Sequence, residues 1–318
     1  MLSVAGSAVA SQIVPTHETT ETKQIHDAVS SVHVVADVGA ITVRPGSATS
    51  VSAHEEWNFQ QPKLQVSVSS GRLDVSITCG DGTQVGPADL ALLNDCTDDL
   101  TLTIPAEADL VASSGDGNVT TAGMRATQHL TSDVGKVAVS NAVGALVAST
   151  SDGEITATDV DAPNVLLRSD RGDVVASSVI GDLTASSSDG VVSLTRVRAG
   201  TIAAHSDTND VSVSNSRATR VVAGTSSGRL RVIGVRAEAF ALTNDTGSVL
   251  LHTVNAPRNI SARTSDGAVA VEVPAGRYAV DAHSTDGQVH VSGLTRSAAA
   301  ARHITARSDT GNVRVTGF

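Results

Sequence analysis

Short apolar runs alternate with polar turns along the last two thirds of the chain, around a recurring glycine. Apolar residues stand two and four places after this glycine, and five and seven places before it. At Gly172, for example, Val174 and Ala176 follow, and Val165 and Leu167 precede. A spacing of two puts side chains on one face of a β-strand. Each unit therefore predicts two short strands that bury the same face.

The unit recurs eleven times at a nearly constant step, which lengthens over the last three units. Such a period is typical of repeat architectures whose units stack on one another. The pattern predicts an all-β fold: a β-solenoid (single-stranded β-helix) of about eleven regular coils of 18–24 residues, stacked in chain order, with irregular coils at the N-terminus. The marking residues are Gly117, Gly135, Gly153, Gly172, Gly190, Asn209, Gly228, Gly247, Gly267, Gly287 and Gly311.

A third apolar position, seven places after the glycine, predicts a corner or a short third strand. The two inward positions that break the apolar pattern are Thr121 and Gln128. The third position is occupied by Val160, Val179, Val197, Val235, Val254, Leu294 and Phe318.

The pattern divides the chain into three parts. Residues 110–318 carry the regular repeats. Residues 28–109 follow the pattern less regularly, with degenerate coils around Gly39 and Gly71, and predict irregular coils and a cap that contains Trp57 and Phe59; a ligand platform is the alternative for these two rings. Residues 1–27 are predicted to be a disordered linker or the remnant of an export or anchor segment, because Met1–Ala10 are mildly apolar but shorter than the about 20 residues that span a bilayer.

The excess of acidic residues indicates which classes of partner the chain can bind. The chain has 22 Lys and Arg against 33 Asp and Glu, a net charge of −11, and its arginines look scattered, without a basic stripe. Nucleic-acid binding needs the opposite balance, so no nucleic-acid partner is predicted. Contact with a membrane is expected only through a missing N-terminal anchor.

Two cysteines, Cys79 and Cys96, bracket a loop that contains Gly, Asp and Pro. In an exported protein such a pair predicts a structural disulfide, since two thiols alone supply too few ligands for a metal.

Aspartates next to the repeat glycine predict tight turns, because Asp accepts hydrogen bonds from nearby amides and Gly adopts positive φ. Stacked carboxylates that bind calcium are the alternative, although the Gly-Gly-x-Gly-x-Asp unit of calcium β-rolls is missing. No catalytic residue, cofactor or metal is assigned. The predicted turn residues are Asp116, Gly117, Asp152, Gly153, Asp189, Gly190, Asp266, Gly267, Asp286 and Gly287.

Two short motifs coincide with repeat turns. Residues 224–228 fit G-x-S-x-G, but a hydrolase needs a helix after the serine and a strand follows here. Arg171-Gly172-Asp173 spells an integrin-type tripeptide around a repeat glycine, and chance explains it better than function.

The order of several features resembles a bacterial β-strand-repeat family of unknown function whose members are labelled candidate adhesins. These features are the Trp-Asn-Phe segment at 57–59, the cysteine pair, Leu-Thr-Ile-Pro-Ala at 102–106 and the serial Ser-Asp-Gly-x-Val units. The resemblance covers residues 28–318. It implies an exported or membrane-anchored protein of the cell envelope without an established activity.

The leading hypothesis is therefore a non-enzymatic β-solenoid, exported to the cell envelope or the extracellular space, that acts as an adhesion surface or a rigid scaffold and spacer. Its partners would be a cell-surface glycan or protein. One alternative is a β-helix enzyme that processes polysaccharides, although the chain is only 2 % aromatic and so offers few sugar-stacking platforms. The other is an envelope scaffold that self-assembles end to end through an open C-terminal coil ending in Val313, Val315 and Phe318.

Overall fold

A computed structural model describes residues 16–58, 60–79 and 96–318. Every regular element in these ranges is a β-strand, and no helix there is long and apolar enough to cross a membrane. The all-β repeat architecture predicted from the alternation is confirmed. The N-terminal strands are β1 (His17–Ile25), β2 (Ser31–Ala36), β3 (Ile41–Pro45), β4 (Thr49–Trp57), β5 (Lys63–Ser69), β6 (Arg72–Thr78) and β7 (Cys96–Ile104).

The strands of the central stack come in pairs, one before and one after each repeat glycine. Two of them, β13 and β14, are longer because they continue from one unit into the next. The central strands are β8 (Asp109–Ser114), β9 (Val119–Ala122), β10 (Gln128–Ser132), β11 (Val137–Val143), β12 (Leu146–Thr150), β13 (Ile155–Ser169), β14 (Val174–Ser187), β15 (Val192–Thr195), β16 (Thr201–Ser206), β17 (Val211–Ser214), β18 (Arg220–Thr225), β19 (Leu230–Val235), β20 (Ala239–Thr246), β21 (Val249–Thr253), β22 (Asn259–Asp266) and β23 (Val269–Val273). The C-terminal strands are β24 (Arg277–Ser284), β25 (Val289–Ser292), β26 (Thr295–Arg296), β27 (His303–Ser308) and β28 (Val313–Gly317).

Equivalent strands of successive units pair in parallel and in register. Strands before the glycine form one ladder from β8 to β22, and strands after it form a second ladder from β9 to β23. The register places Leu167 beside Ala185 and Ala176 beside Leu194. Each inward side chain therefore lies on its equivalents above and below, which produces one continuous narrow core.

The two polar exceptions in the inward pattern lie together in this core. Thr121 is 1 % exposed and Gln128 is fully buried, and the Thr121 hydroxyl donates to Gln128 Oε1 at 2.7 Å. Burying a polar side chain is tolerated when it is hydrogen-bonded. The bond satisfies the Thr121 hydroxyl and Gln128 Oε1, whereas Gln128 Nε2 is buried without a partner among the described residues.

The predicted third apolar position is buried in only part of the stack. Val160, Val179 and Val197 are buried, whereas Val254 is 45 % exposed and Phe318 is 59 % exposed. In the units where this side chain points inward, the residue before it turns the chain with a positive φ, as Ser178 does. Thr253 does not make this turn and points inward itself, so strand alternation carries Val254 outward.

The coils do not stack in chain order at the C-terminal end, which corrects the sequence prediction. Strand β27 lies between β22 and β24, and β28 lies between β23 and β25. The last coil is thus inserted, and Val313 and Val315 are fully buried instead of forming an open end. The exposed end is the preceding coil, where Val289 is 45 % exposed and Val280 is partly buried.

The N-terminal end has the same kind of insertion. Strand β2 lies between β8 and β6, and β3 lies between β9 and β7. Outside them, β4 pairs antiparallel with β7, β1 with β4, and β5 with β6. Gly71 therefore marks a hairpin and not a degenerate coil, because Ser70 and Gly71 both have the positive φ of a two-residue type I′ turn.

Part of the segment 1–27, predicted to be a disordered linker or the remnant of an export or anchor segment, forms a strand. Residues 17–25 form β1, whereas Met1–Ala10 and Phe59 lie outside the described residues. Trp57 ends β4 in the cap and stacks on His17, with ring centroids 5.6 Å apart.

Candidate functional site

Each repeat turn is held by the side chain three places before the repeat glycine, a position that the apolar pattern did not single out. Ser169 Oγ donates to the Gly153 carbonyl of the preceding coil at 3.0 Å, and accepts from the Gly172 amide at 2.8 Å. The signal was present, because every one of the eleven units has Ser, Thr or Asn here. Donors to the neighbouring coil are Ser114, Ser132, Thr150, Ser169, Ser187, Ser206, Thr225, Asn244, Thr264, Ser284 and Ser308.

The repeat glycines are explained mainly by close approach of stacked backbones. A Cβ at Gly172 would overlap the Gly153 carbonyl oxygen, although the φ of Gly172 is not positive. The predicted turn aspartates, by contrast, are all exposed. They are Asp116, Asp152, Asp189, Asp266 and Asp286.

The turn aspartates are not brought together as a metal site. Within the described ranges, the grouping of carboxylate and imidazole groups close enough to share a cation is Glu18, His54 and Glu56, on the cap strands β1 and β4. None of the predicted turn residues belongs to it. Calcium binding at the turns stays an untested hypothesis.

The two short motifs serve as contacts between coils. Arg171 Nη2 donates to Asp152 Oδ2 at 2.6 Å, and Asp173 Oδ1 accepts from the Val191 amide at 2.8 Å. In the G-x-S-x-G segment, Thr225 Oγ1 donates to the Asn209 carbonyl at 2.7 Å, as its equivalents do in other units. Both motifs are ordinary repeat turns in this structure.

A disulfide joins Cys79 to Cys96, with Cα atoms 6.1 Å apart, and links the end of β6 to the start of β7. Beside it lies a carboxyl pair that sequence patterns missed: Glu55 and Asp98 face each other across β4 and β7 and are buried. Burial, together with the charges of Asp37, Asp99 and Glu55, raises the pKa of Asp98 to about 7. Asp98 is therefore protonated over much of the acidic range, where an ordinary aspartate is charged.

A groove of about 920 Å³ lies over the third side of the coils, the short segment between the second strand and the next unit. One wall is a row of corner residues with positive φ, called the corner row. Its members are Asp159, Ser178, Arg196, Asn215 and Gly234.

The second wall of the groove carries three arginines in register, called the arginine row. Parallel bridges join Arg198 to Arg217 and Arg217 to Arg236, so these residues occupy the same place on three neighbouring coils. Ile180 precedes them in the same row, and Asp161 pairs with Ile180. The row exists because all three arginines stand eight places after their repeat residue.

The expectation of scattered arginines is wrong for this part of the chain. Residues 196–236 contain seven Arg and no Lys against two Asp, a balance of +5 within a chain of net charge −11. In the described ranges, no ion pair joins a carboxylate to Arg198, Arg217 or Arg236, and all three are exposed. Arg196 Nε donates to Ser178 Oγ at 3.2 Å within the corner row. The groove is therefore a positively charged strip on an acidic protein.

A family model described as Toastrack DUF4097 matches residues 35–181 and again residues 176–316. Together the two matches cover nearly all of the repeat region and most of the N-terminal cap. No curated protein matches the chain.

Solved bacterial structures align with most of the chain at low sequence identity. One, described as a candidate adhesin from Parabacteroides merdae, is 10 % identical over 94 % of this chain and 95 % of its own, with a TM-score of 0.36. A candidate adhesin from Bacteroides fragilis is 13 % identical over 95 % and 97 %, with a TM-score of 0.30. A candidate lipid-binding protein from Parabacteroides distasonis is 11 % identical over 93 % and 96 %, with a TM-score of 0.29. At scores this low, the family model is the finding that identifies the chain.

Proposed function

The chain belongs to the Toastrack DUF4097 family, and from this premise we propose that it is a non-enzymatic protein of the cell envelope, exported from the cytosol, whose stacked coils act as an adhesion surface or rigid scaffold. In this proposal the regular part is a single-stranded β-solenoid with one coil for each repeat residue. Its partner is a cell-surface glycan or protein.

One observation carries the proposal: the outward residues repeat once per coil and in register. Because the two parallel ladders run without a break from β8 and β9 to β22 and β23, equivalent surface positions form straight rows along the stack. Rows of equivalent groups suit a ligand that is itself a repeating polymer, since many weak contacts add up in one complex. A small molecule, by contrast, is usually bound in an enclosed, mostly apolar pocket.

The location is tested by fractionating the native host with an antibody against the chain. We expect the protein in the envelope or the medium, separate from cytosolic markers, with Cys79 and Cys96 oxidised. A cytosolic pool that contains all of the protein with free thiols would overturn the proposal.

The adhesive role is tested with purified protein and envelope fragments isolated from the same host. Co-sedimentation that saturates with protein and falls in high salt is the expected result. Incubation of the same protein with acidic polysaccharides should release no new reducing ends. Sustained release that stops in Asp161→Asn would instead establish the polysaccharide-processing enzyme.

A second candidate function, self-assembly, is favoured by the exposed end at β24 and β25. The outer edges of Ala279–Ser284 and Val289–Ser292 have no strand partner in the described part of the chain, and Val289 is 45 % exposed there. Unpaired strand edges are templates for another strand. Sedimentation of the wild-type chain should show a concentration-dependent dimer that Val289→Lys abolishes and Val222→Lys, on a strand face, leaves intact. A monomer at all concentrations would exclude this function.

A further inference from the structure

Within the described residues, no ion pair or side-chain hydrogen bond ties Arg198, Arg217 or Arg236 to the rest of the fold. Arg198, Arg217 and Arg236 repeat at the strand spacing of about 4.8 Å, and like charges on adjacent strands are destabilising. Neutral side chains such as Val143 and Ile180 occupy the same row on other coils. The row of charge therefore costs stability, which an anionic ligand would recover.

We propose that this groove binds a linear acidic polysaccharide that carries a carboxylate on successive sugars. The proposal names a ligand class for the adhesion surface proposed above and depends on that function only for its biological setting. It is carried by the arginine row, the shape of the groove and the polar groups of the corner row.

The arginines are arranged for a linear polymer of anions. They stand in single file along the stack, so a bound chain meets one guanidinium per coil as it runs along the axis. Arginine presents a planar fork that binds a carboxylate through two parallel hydrogen bonds. The row is short, because Ile180 precedes it and Asn255, which bonds to the Ala237 backbone, follows it. Three consecutive carboxylates would satisfy it.

Other groups of the groove suit a sugar backbone. Asn215 is exposed, and its amide makes no side-chain hydrogen bond within the described residues, so it can bind ring or hydroxyl oxygens. Ile180 and Val254 line the groove and are 48 % and 45 % exposed. Such apolar side chains can cover the C–H faces of a pyranose.

The same features argue against other polyanions. Single-stranded nucleic acid is bound through base stacking on aromatic side chains, and none of the residues that line this groove is aromatic. A membrane surface requires broad basic clusters, whereas the arginine row is one residue wide and is preceded by Ile180 and then by Asp161. Asp159 and Asp161 at one end of the groove would repel an anion, so they confine the anion-binding part to the arginines, which suits a short stretch of a narrow linear polymer.

The experiment measures binding of short oligogalacturonides to the full chain by calorimetry, with neutral dextran oligosaccharides as the control sugar. We expect binding that weakens steadily with salt and no binding of dextran. Each of Arg198→Gln, Arg217→Gln and Arg236→Gln should weaken binding about tenfold or more, because each removes one charge-assisted contact to a carboxylate. The triple variant should show no measurable binding.

A matched control removes three other exposed arginines: Arg220→Gln, Arg231→Gln and Arg263→Gln, on the strand faces of neighbouring coils. It loses the same charge and should retain binding within about twofold. Equal loss in both triple variants would mean non-specific attraction and would overturn the proposal. So would tighter binding of a single-stranded oligonucleotide or of phosphatidylserine vesicles through the same arginines. Calorimetry tests the ligand of the groove and fractionation of the host tests the envelope location, so failure of one proposal is distinguishable from failure of the other.

Discussion

Removing one turn hydroxyl is the most direct test of what joins neighbouring coils. Ser132 is fully buried, and its Oγ donates to the Gly117 carbonyl at 2.8 Å and accepts from the Gly135 amide at 2.8 Å. In Ser132→Ala, one buried acceptor and one buried donor lose this partner. Each such group costs about 1 to 3 kcal/mol when left unsatisfied, so the expected loss of stability is about 2 to 6 kcal/mol.

The assay is equilibrium unfolding in guanidinium chloride, followed by circular dichroism. Because repeat proteins can unfold in parts, amide hydrogen exchange at Gly135 supplies a local readout and should accelerate. The control is Ser149→Ala, an outward serine on β12 that is not among the turn donors, and Ser132→Thr should restore stability because Thr150 makes the same bonds in the next coil. Agreement of Ser132→Ala and Ser149→Ala within about 0.5 kcal/mol would refute the role of the hydroxyl.

Three further predictions follow from single features of the structure. Burial raises the pKa of Asp98 from 3.8 to about 7, so between these pH values the folded state holds a proton that the unfolded state has released. The contribution of this group to stability should therefore be greatest below about pH 4 and fall by up to about 4 kcal/mol as pH rises to about 7. In unfolding measured against pH, Asp98→Asn should remove this fall. Gly172→Ala should destabilise the stack by more than about 1 kcal/mol in the same denaturation assay, because its Cβ would overlap backbone of the preceding coil. The double variant Ser261→Cys/Thr305→Cys should form a disulfide detectable by mass spectrometry, because the two residues are direct neighbours on β22 and β27. The double variant Ser261→Cys/Asp281→Cys should not, because these residues lie about two strand spacings apart.

The strand faces were predictable because a thin interior leaves almost no freedom at inward positions. Each apolar pair, such as Val174 and Ala176, lies on its equivalents in adjacent coils inside one continuous core, so burial follows from the period of two. The close approach of backbones likewise explains why glycine recurs in nearly every turn. In this part of the chain, the spacing of apolar residues within one coil is therefore enough to predict which side chains contact the neighbouring coils.

The stacking order at the ends was not predictable, because every coil presents the same pattern to every other. Val280 with Ala282, and Ile304 with Ala306, fit the same positions of the core, so periodicity does not decide which coil lies next to β22. The one trace in the sequence is the longer step between Gly287 and Gly311. The added residues allow the chain to pass the coil of β24 and β25 and to insert β27 and β28 between that coil and the one before it.

The groove escaped prediction for a related reason. Its arginines stand a whole repeat apart and look scattered along the chain, and only their common distance from the repeat residue places them in one row. The buried Asp98 lies in the irregular cap, where the period gives no register to count from. Both features depend on contacts between coils rather than on the pattern within one.

The two ends of the stack differ, and this limits the assemblies that the chain can form. At the N-terminal end one of the two outer strands, β1, is mostly exposed and carries Glu18, Glu21 and Lys23, and charged edge strands resist pairing. At the C-terminal end β24 and β25 leave unpaired edges beside Val289. Association through one end alone is isologous and stops at two copies, whereas association of unlike ends would continue into a filament. A pair joined in this way would place a capped end at each extremity and one arginine row on each copy, so that a single acidic polymer could be held at two sites at once.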